Sequence, residues 1–99
     1  MVIDEKKYIL SEGEAVLIFP FQVHSFTPVA NGRLKMCIFA TKLVAEFDKK
    51  NGNKLPVNNK FKCTFPNNAP TDTVYHQKAL AYYICGEFER EAEYALNSQ

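Results

Sequence analysis

The chain has no proline after Pro70, which makes its C-terminal part the most constrained region of the sequence. Proline is the residue that a helix interior tolerates least, so a long proline-free tract favours a long helix. Thr71 or Asp72 can cap the N-terminus of such a helix. Apolar side chains recur along the tract at helical spacing: Val74, Ala81, Cys85, Phe88, Ala92 and Ala95. The pattern therefore predicts a long helix over about residues 72–95.

The centre of this helix, KALAYYICG, is apolar on more than one side. A surface helix with a single partner needs only one apolar face, so we expect a second partner on another face. Contact with the same helix of a second copy about a twofold axis would remove this surplus apolar surface from water. The residues expected at this homodimer interface are Leu80, Ile84, Phe88, Ala92 and Ala95. The alternative is that the helix packs only across its own sheet.

The region before Phe65 has a different character. Four short segments rich in β-branched and aromatic residues, KYIL, AVLIF, RLKMCIFA and KFKCTF, are separated by turn residues and predict strands. Between the last two segments, Thr41 can cap a short helix over about residues 42–50, and Asn51-Gly52 suits its end. The predicted fold is therefore mainly β with a C-terminal helix.

Composition limits the classes of protein to consider. A chain of 99 residues makes a single domain, and 12 Lys and Arg against 11 Asp and Glu give no basic surface for direct nucleic-acid binding. No apolar run is long enough to span a bilayer, and MVIDEKK does not resemble a signal peptide, so we expect no membrane association. The three cysteines, Cys37, Cys63 and Cys85, show no CxxC spacing, which favours buried, reduced thiols and a cytoplasmic location.

Gly13, an apolar strand, Pro20 and His24 form the segment GEAVLIFPFQVH, which resembles the second conserved motif of the cupins, a family of small jelly-roll barrels. Gln22 stands where many cupins have a glycine. The segments RLKMCIFATKLVAEF and KALAYYICGEF are similar to the second half of the effector-binding domain of AraC/XylS-like transcription regulators. The resemblance implies a partial cupin barrel over residues 8–65 and a helical dimerisation segment over residues 70–99.

Two parts of that family pattern are missing from the sequence. The first cupin motif, with its HxH and glutamate, is absent, and so is the helix-turn-helix region that would bind DNA. The chain is therefore interpreted as a fragment of a longer protein, as the product of a start inside the gene, or as a natural truncation. In the last case, a second copy would complete the sheet. The sequence leaves these alternatives open.

His24 is the principal candidate for a binding site. In the cupin motif, the histidine turns its ring into the barrel, so the resemblance implies a polar group within an apolar pocket. The predicted ligand-binding residues are Tyr8, His24, Phe26, Met36 and Ile38. A metal site would need at least two further ligands, and no HxH or HExxH occurs, so we expect no metal. The alternative is a structural histidine, hydrogen-bonded to the backbone at a strand end.

Taken with the resemblance, these features predict the ligand-sensing and dimerisation domain of an AraC-like transcription regulator. We expect a homodimer, a sugar or an aromatic metabolite as effector, no cofactor and no catalytic residue. No serine or cysteine lies beside a recognisable base, and the acidic residues form no acid/base pair. Two alternatives stay open: a metal-dependent cupin enzyme such as an isomerase or dioxygenase, and an assembly domain whose barrel is filled by side chains.

Overall fold

A computed structural model describes residues 1–27, 38–64 and 68–95 of the chain. The described part contains five short strands: β1 (Val2–Ile3), β2 (Lys6–Lys7), β3 (Glu14–Val16), β4 (His24–Ser25) and β5 (Lys60–Lys62). A 3₁₀ helix (Thr41–Val44) continues into α1 (Ala45–Asn51), and the long helix α2 spans Val74–Glu91. Among these residues, no helix combines the length and the apolar character needed to cross a bilayer.

The described strands form two small antiparallel sheets. In the three-stranded sheet the order is β2-β1-β4, and in the two-stranded sheet β3 pairs with β5. Asp4 and Glu5 join β1 to β2 with φ angles of 49° and 69°. Two successive positive φ values are typical of the type I′ turn, whose twist suits a two-residue hairpin, and aspartate tolerates them better than most residues. The sequence patterns did not predict this N-terminal hairpin.

The second sheet lies where strands were expected, but its strands are shorter than the apolar segments that predicted them. β3 ends at Val16 and β5 ends at Lys62. Beyond β3 the backbone continues to bond, but partly to side chains: Leu17 N donates to Asn59 O at 3.0 Å, and Phe19 N donates to Gln22 Oε1 at 3.0 Å. The Gln22 side chain therefore bonds Phe19 N where a neighbouring strand would otherwise do so, and β3 does not continue through this apolar segment.

α2 is shorter than the predicted helix over residues 72–95. Thr73 caps it, with its side-chain oxygen accepting from His76 N at 3.1 Å. The helix ends at Glu91 because the next residues form an extended segment beside residues 55–57. Ala95 N donates to Leu55 O and Val57 N donates to Glu93 O, each at 2.8 Å. These backbone bonds replace the last helical turn that the periodicity predicted.

Phe88 lies at the centre of the main core and is 1% exposed. Its ring centroid is 5.4 Å from that of Phe61 and 5.8 Å from that of Phe19. Phe47 and Tyr94 complete this aromatic core, with centroids 6.3 and 6.4 Å from Phe88. Tilted and edge-on pairs at such distances add about 0.5–1.5 kcal/mol each beyond the burial of apolar area. The aromatic core therefore fixes α2 against β5, α1 and the C-terminal segment.

The coarse expectation of short strands followed by a long C-terminal helix is confirmed, and the short helix predicted at residues 42–50 is present at 41–51. The description "mainly β" needs correction, because helical residues outnumber strand residues in the part of the chain that the structure describes. Residues 55–57 bond to residues 93–95 through two backbone hydrogen bonds and an isolated bridge between Pro56 and Tyr94, and not through a strand. The strand predicted over RLKMCIFA lies mostly outside the described residues.

Candidate functional site

The residues predicted to bind a ligand lie in different environments. His24 is an exposed residue of β4, opposite Ile3 in the sheet, and Phe26 is 45% exposed. Tyr8 is buried, whereas Ile38 is 88% exposed. Met36 lies outside the described residues. Tyr8, His24 and Phe26 do not line either of the two cavities beside α2.

Tyr8 belongs to a buried polar cluster that the sequence reading missed. Gln22 Oε1 accepts hydrogen bonds from Phe19 N at 3.0 Å and from Asn59 Nδ2 at 2.6 Å. Gln22 Nε2 donates to Asp4 Oδ2 at 3.2 Å, and Tyr8 Oη accepts from Asn59 N at 3.2 Å. We call Asp4, Tyr8, Gln22 and Asn59 the polar core; Tyr8, Gln22 and Asn59 are buried, and Asp4 is an exposed residue at its edge. The polar core joins the N-terminal hairpin to the segments around residues 19 and 59.

Gln22 was the signal that could have revealed this cluster. It is the departure from the cupin motif, where many members have glycine, and it is 6% exposed. A buried amide that replaces glycine needs partners for both its oxygen and its nitrogen, since unpaired polar groups are costly in a protein interior. The sequence could not show that Asn59, thirty-seven residues away, provides one of them.

A groove of about 420 Å³ lies at the N-terminal half of α2. One wall comes from the segment before α1 and the other from the first turns of α2; the lining residues are Ile38, Phe39, Ala40, Leu43, Thr71, Gln77 and Leu80. Thr71 and Gln77 are the polar members, and Gln77 Nε2 donates to Thr71 O at 3.0 Å. Among the described residues predicted to bind a ligand, Ile38 is the one that lines this groove.

A smaller hollow of about 200 Å³ lies beside the groove and shares Leu80 with it. Ala79 and Tyr83 of α2 line it together with Pro70 and His76. The His76 ring lies at the N-terminal end of α2, where its Nδ1 is 2.9 Å from Thr73 Oγ1 and 3.1 Å from Asp72 Oδ1. His76 is an exposed residue whose ring contacts Thr73 and Asp72 at the start of α2.

The residues predicted for the dimer interface need correction. Ile84 is 6% exposed and Phe88 is 1% exposed, because both pack inside the protomer against β5 and Phe19. Leu80 is half-buried between the two cavities. Ala92 and Ala95 lie beyond the end of α2 in the extended segment. Ile84 and Phe88 are therefore covered by the chain's own elements, in line with the alternative that the sequence left open, whereas Ala95 is exposed.

Cys63 and Cys85 are small core residues, as predicted, while Cys37 lies outside the described part. Burial raises the pKa of the Cys85 thiol to about 11, with the nearby Glu89 carboxylate adding to the effect. Burial also raises the pKa of Cys63, and Glu87 contributes in the same direction. Both thiols are therefore protonated near neutral pH, and a protonated thiol is a poor nucleophile.

The carboxylates with shifted pKa values are held in surface ion pairs. A backbone hydrogen bond from Ser11 lowers the pKa of Glu14, and Lys60 at 3.5 Å lowers it further. Lys50 lowers the pKa of Glu89 across 2.9 Å. Within the described residues, no three or more His, Cys, Asp or Glu side chains are grouped so that they could hold a metal ion. These carboxylates stabilise local structure.

No protein-family model, no curated protein and no solved structure matches this chain.

Proposed function

We propose that this chain is a ligand-sensing and dimerisation module without catalysis, of the kind that AraC/XylS-like transcription regulators carry in the cytoplasm. The sequence resemblance supports this role, and the partial cupin barrel over residues 8–65 is part of the same proposal. The effector would be a small, largely apolar molecule such as an aromatic metabolite. A sugar is the second class of candidate effector.

The groove beside α2 is the observation that carries the sensing part of the proposal. Small-molecule sites are concave, have volumes of roughly 300–1,000 Å³, and combine apolar walls with a few polar groups. The groove has a volume of about 420 Å³, apolar walls that include Phe39, Leu43 and Leu80, and two polar side chains, Thr71 and Gln77. An aromatic ring with a hydrogen-bonding substituent matches this combination.

The position of the groove suggests how a ligand would act on the rest of the molecule. One wall belongs to the segment that leads into α1, and the other belongs to α2. A ligand that binds between them favours the arrangement in which the two walls are close, and it shifts the population toward that arrangement by its difference in affinity. Signals would therefore pass from the groove into the long helix.

Thermal unfolding of the intact chain with sugars and aromatic metabolites tests the proposal. A ligand at a hundred times its dissociation constant stabilises the folded state by about 2.7 kcal/mol, which raises the melting temperature by several degrees. The variant Ile38→Lys should lose this increase, because it places a charge on an apolar wall. Ile9→Lys is the matched control, since Ile9 is 76% exposed and does not line the groove.

If no compound raises the melting temperature of the wild-type chain, ligand sensing is wrong. If a compound raises it equally in Ile38→Lys and in the control, the chain binds a ligand, but not in this groove.

A further inference from the structure

Residues 92–95, which we call the C-terminal strap, lie in a conformation that their sequence does not favour. Alanine and glutamate are strong helix formers, and neither glycine nor proline occurs in the sequence after Gly86 to end α2. Ala92 nevertheless has a ψ angle of 132°, which is extended, and α2 ends at the residue before it. The end of the helix is therefore set by contacts with the rest of the chain.

Two backbone hydrogen bonds hold the strap against residues 55–57. Ala95 N donates to Leu55 O and Val57 N donates to Glu93 O, each at 2.8 Å. In a helical continuation of α2, each N–H group of the strap would instead bond to a carbonyl four residues earlier in the chain. The extended state therefore replaces one set of backbone bonds with another, and backbone bonding alone does not favour it.

Tyr94 anchors the strap in the aromatic core but leaves its hydroxyl unpaired. Its ring centroid lies 6.4 Å from those of Phe19 and Phe88, and Lys54 Nζ lies 5.3 Å from it on the ring face. The hydroxyl oxygen is buried and has no hydrogen-bond partner among the described residues. Because a buried hydroxyl without a partner is costly, it offsets part of the gain from packing the ring.

A second arrangement of the strap removes that cost. If α2 continued by one turn, Ala92 and Ala95 would follow Phe88 at spacings of four and seven residues and would extend its apolar stripe. Tyr94 would lie one turn beyond Arg90, whose side chain is 77% exposed, so the tyrosine hydroxyl would reach water. The helical state therefore gains a hydrated hydroxyl, and the docked state gains the ring contacts.

We propose that the C-terminal strap is a two-state switch. In one state it docks on residues 55–57 with Tyr94 in the aromatic core, and in the other it continues α2 by one turn with Tyr94 in water. Since release uncovers apolar core surface, we expect the helical state to be the minor one, with a population of about 0.1–10%.

The strap docks on a segment that follows α1 directly. Lys54 N donates to Asn51 O at 3.0 Å, so residues 55–57 begin close to the end of that helix. A movement of α1 therefore changes the surface on which the strap docks. The inference goes beyond the proposed sensing role, and it rests on the contacts of residues 92–95 and not on ligand binding in the groove.

Amide hydrogen exchange of the 99-residue chain, followed residue by residue by NMR, is the first test. The amides of Val57 and Ala95 should be at least about tenfold less protected than that of Cys85 in the buried part of α2, because the strap opens without global unfolding. Equal protection at the three positions would show that the strap opens only when the whole chain unfolds, and it would overturn the switch.

Tyr94→Phe distinguishes the switch from a helix end that merely frays. The variant keeps the ring and removes the unpaired hydroxyl, so the protection of Val57 and Ala95 should rise about tenfold. Tyr75→Phe is the matched control, because Tyr75 belongs to the same helix, is 81% exposed, and lies outside the strap. Unchanged or lower protection in Tyr94→Phe would contradict the proposal.

Carbon chemical shifts test whether the released strap is helical. In Tyr94→Ala, the Cα shifts of residues 92–95 should move from extended toward helical values, while those of β3 and β5 report that the core stays folded. Relaxation dispersion on the wild type gives the shifts of the minor state without any substitution. Extended or random-coil shifts in that minor state would exclude a helical continuation of α2.

A disulfide trap tests the docked state. Leu55→Cys and Ala95→Cys, combined in a Cys37→Ser background where Cys63 and Cys85 are buried, place two thiols on neighbouring residues of the docked pair. Oxidation should raise the protection of the Val57 amide at least about tenfold, and reduction should reverse it. No change on oxidation would overturn the switch. A chain that binds no compound but shows both states of the strap would disprove ligand sensing and leave this inference intact.

Discussion

The aromatic core around Phe88 and the polar core around Asn59 are buried to nearly the same extent, 1% and 2% exposed, but they hold the chain together in different ways. Phe88 packs against several rings at centroid distances of 5.4–6.4 Å, and no single contact is indispensable. Asn59 instead takes part in directional bonds to Leu17, Gln22 and Tyr8. An apolar core tolerates changes of shape, whereas a polar core depends on every partner being present.

The difference has a consequence for how the two regions respond to substitution. Dispersion and burial are spread over many contacts, so their loss grows with the volume removed. In the polar core, removal of one amide leaves donors and acceptors without partners in a place that water does not reach.

Phe88→Ala should reduce the free energy of unfolding by about 3–5 kcal/mol, because it removes the central ring and leaves a cavity. Urea denaturation followed by circular dichroism measures the loss. Tyr75→Ala, which removes an exposed ring from the same helix, should change stability by about 0.5 kcal/mol or less in the monomer. Equal effects of the two substitutions would show that the aromatic core does not organise the fold.

Asn59→Leu should reduce the free energy of unfolding by about 2–3 kcal/mol, because it leaves Leu17 O and the Gln22 side chain without their partner. The size of the side chain is nearly preserved, so a cavity does not explain the loss. A double-mutant cycle with Gln22→Leu measures the coupling between the two amides of the polar core. In the Asn59→Leu background, Gln22→Leu should lower the free energy of unfolding by less than it does in the wild type. Additive losses would mean that the two amides act independently.

The free energy of unfolding should depend on pH through the buried Cys85 thiol on the apolar side of α2. Its pKa in the folded state is raised from 9.0 to about 11, chiefly by burial, so folding favours the protonated thiol. The resulting stability is complete below pH 9 and is lost as pH rises toward 11, by at most about 1.4 kcal/mol per pH unit. Cys85→Ala should flatten this alkaline decline in urea denaturation. An unchanged slope would assign the decline to other groups.

The two cores also differ in how far the sequence predicts them. Apolar periodicity predicted the long helix and placed Ala81, Cys85 and Phe88 on its apolar stripe, because burial of one helical face leaves a 3.6-residue pattern. It did not predict that Phe88 lies in the protomer's own core, since Phe88 was expected at the dimer interface. It did not predict the end of α2 at Glu91, since residues 92–95 retain helical spacing but bond to residues 55–57. That choice depends on a segment far away in the chain.

The polar core and the groove could not be predicted for a related reason. Gln22 and Asn59 have no periodic signature, and their pairing depends on three-dimensional proximity alone. Ile38 was expected to line a pocket with His24 and Tyr8, but it lines the groove with α2 residues. Sequence motifs indicate which residue types are present, and the relative positions of separate elements decide which of them meet.

Loss of the surface ion pair between Lys50 and Glu89 should change the free energy of unfolding least, in contrast to changes in either buried core. Glu89 Oε1 accepts from Lys50 Nζ at 2.9 Å and from the buried Asn51 Nδ2 at 3.3 Å. These partners lower the pKa of Glu89 from its ordinary value of 4.5, so the pair stabilises the fold above that pH. The stability is lost as pH falls through the lower folded-state pKa.

Because the Glu89 side chain is 45% exposed, solvent screening limits its contribution to about 0.5 kcal/mol or less. Glu89→Gln should therefore remove a small acid-dependent part of the stability, measured by urea denaturation between pH 3 and 6. Glu12→Gln, an exposed carboxyl in the turn before β3, is the matched control. A loss as large as that of Asn59→Leu would mean that this pair behaves as part of a buried network, with Asn51 rather than Lys50 as its decisive partner.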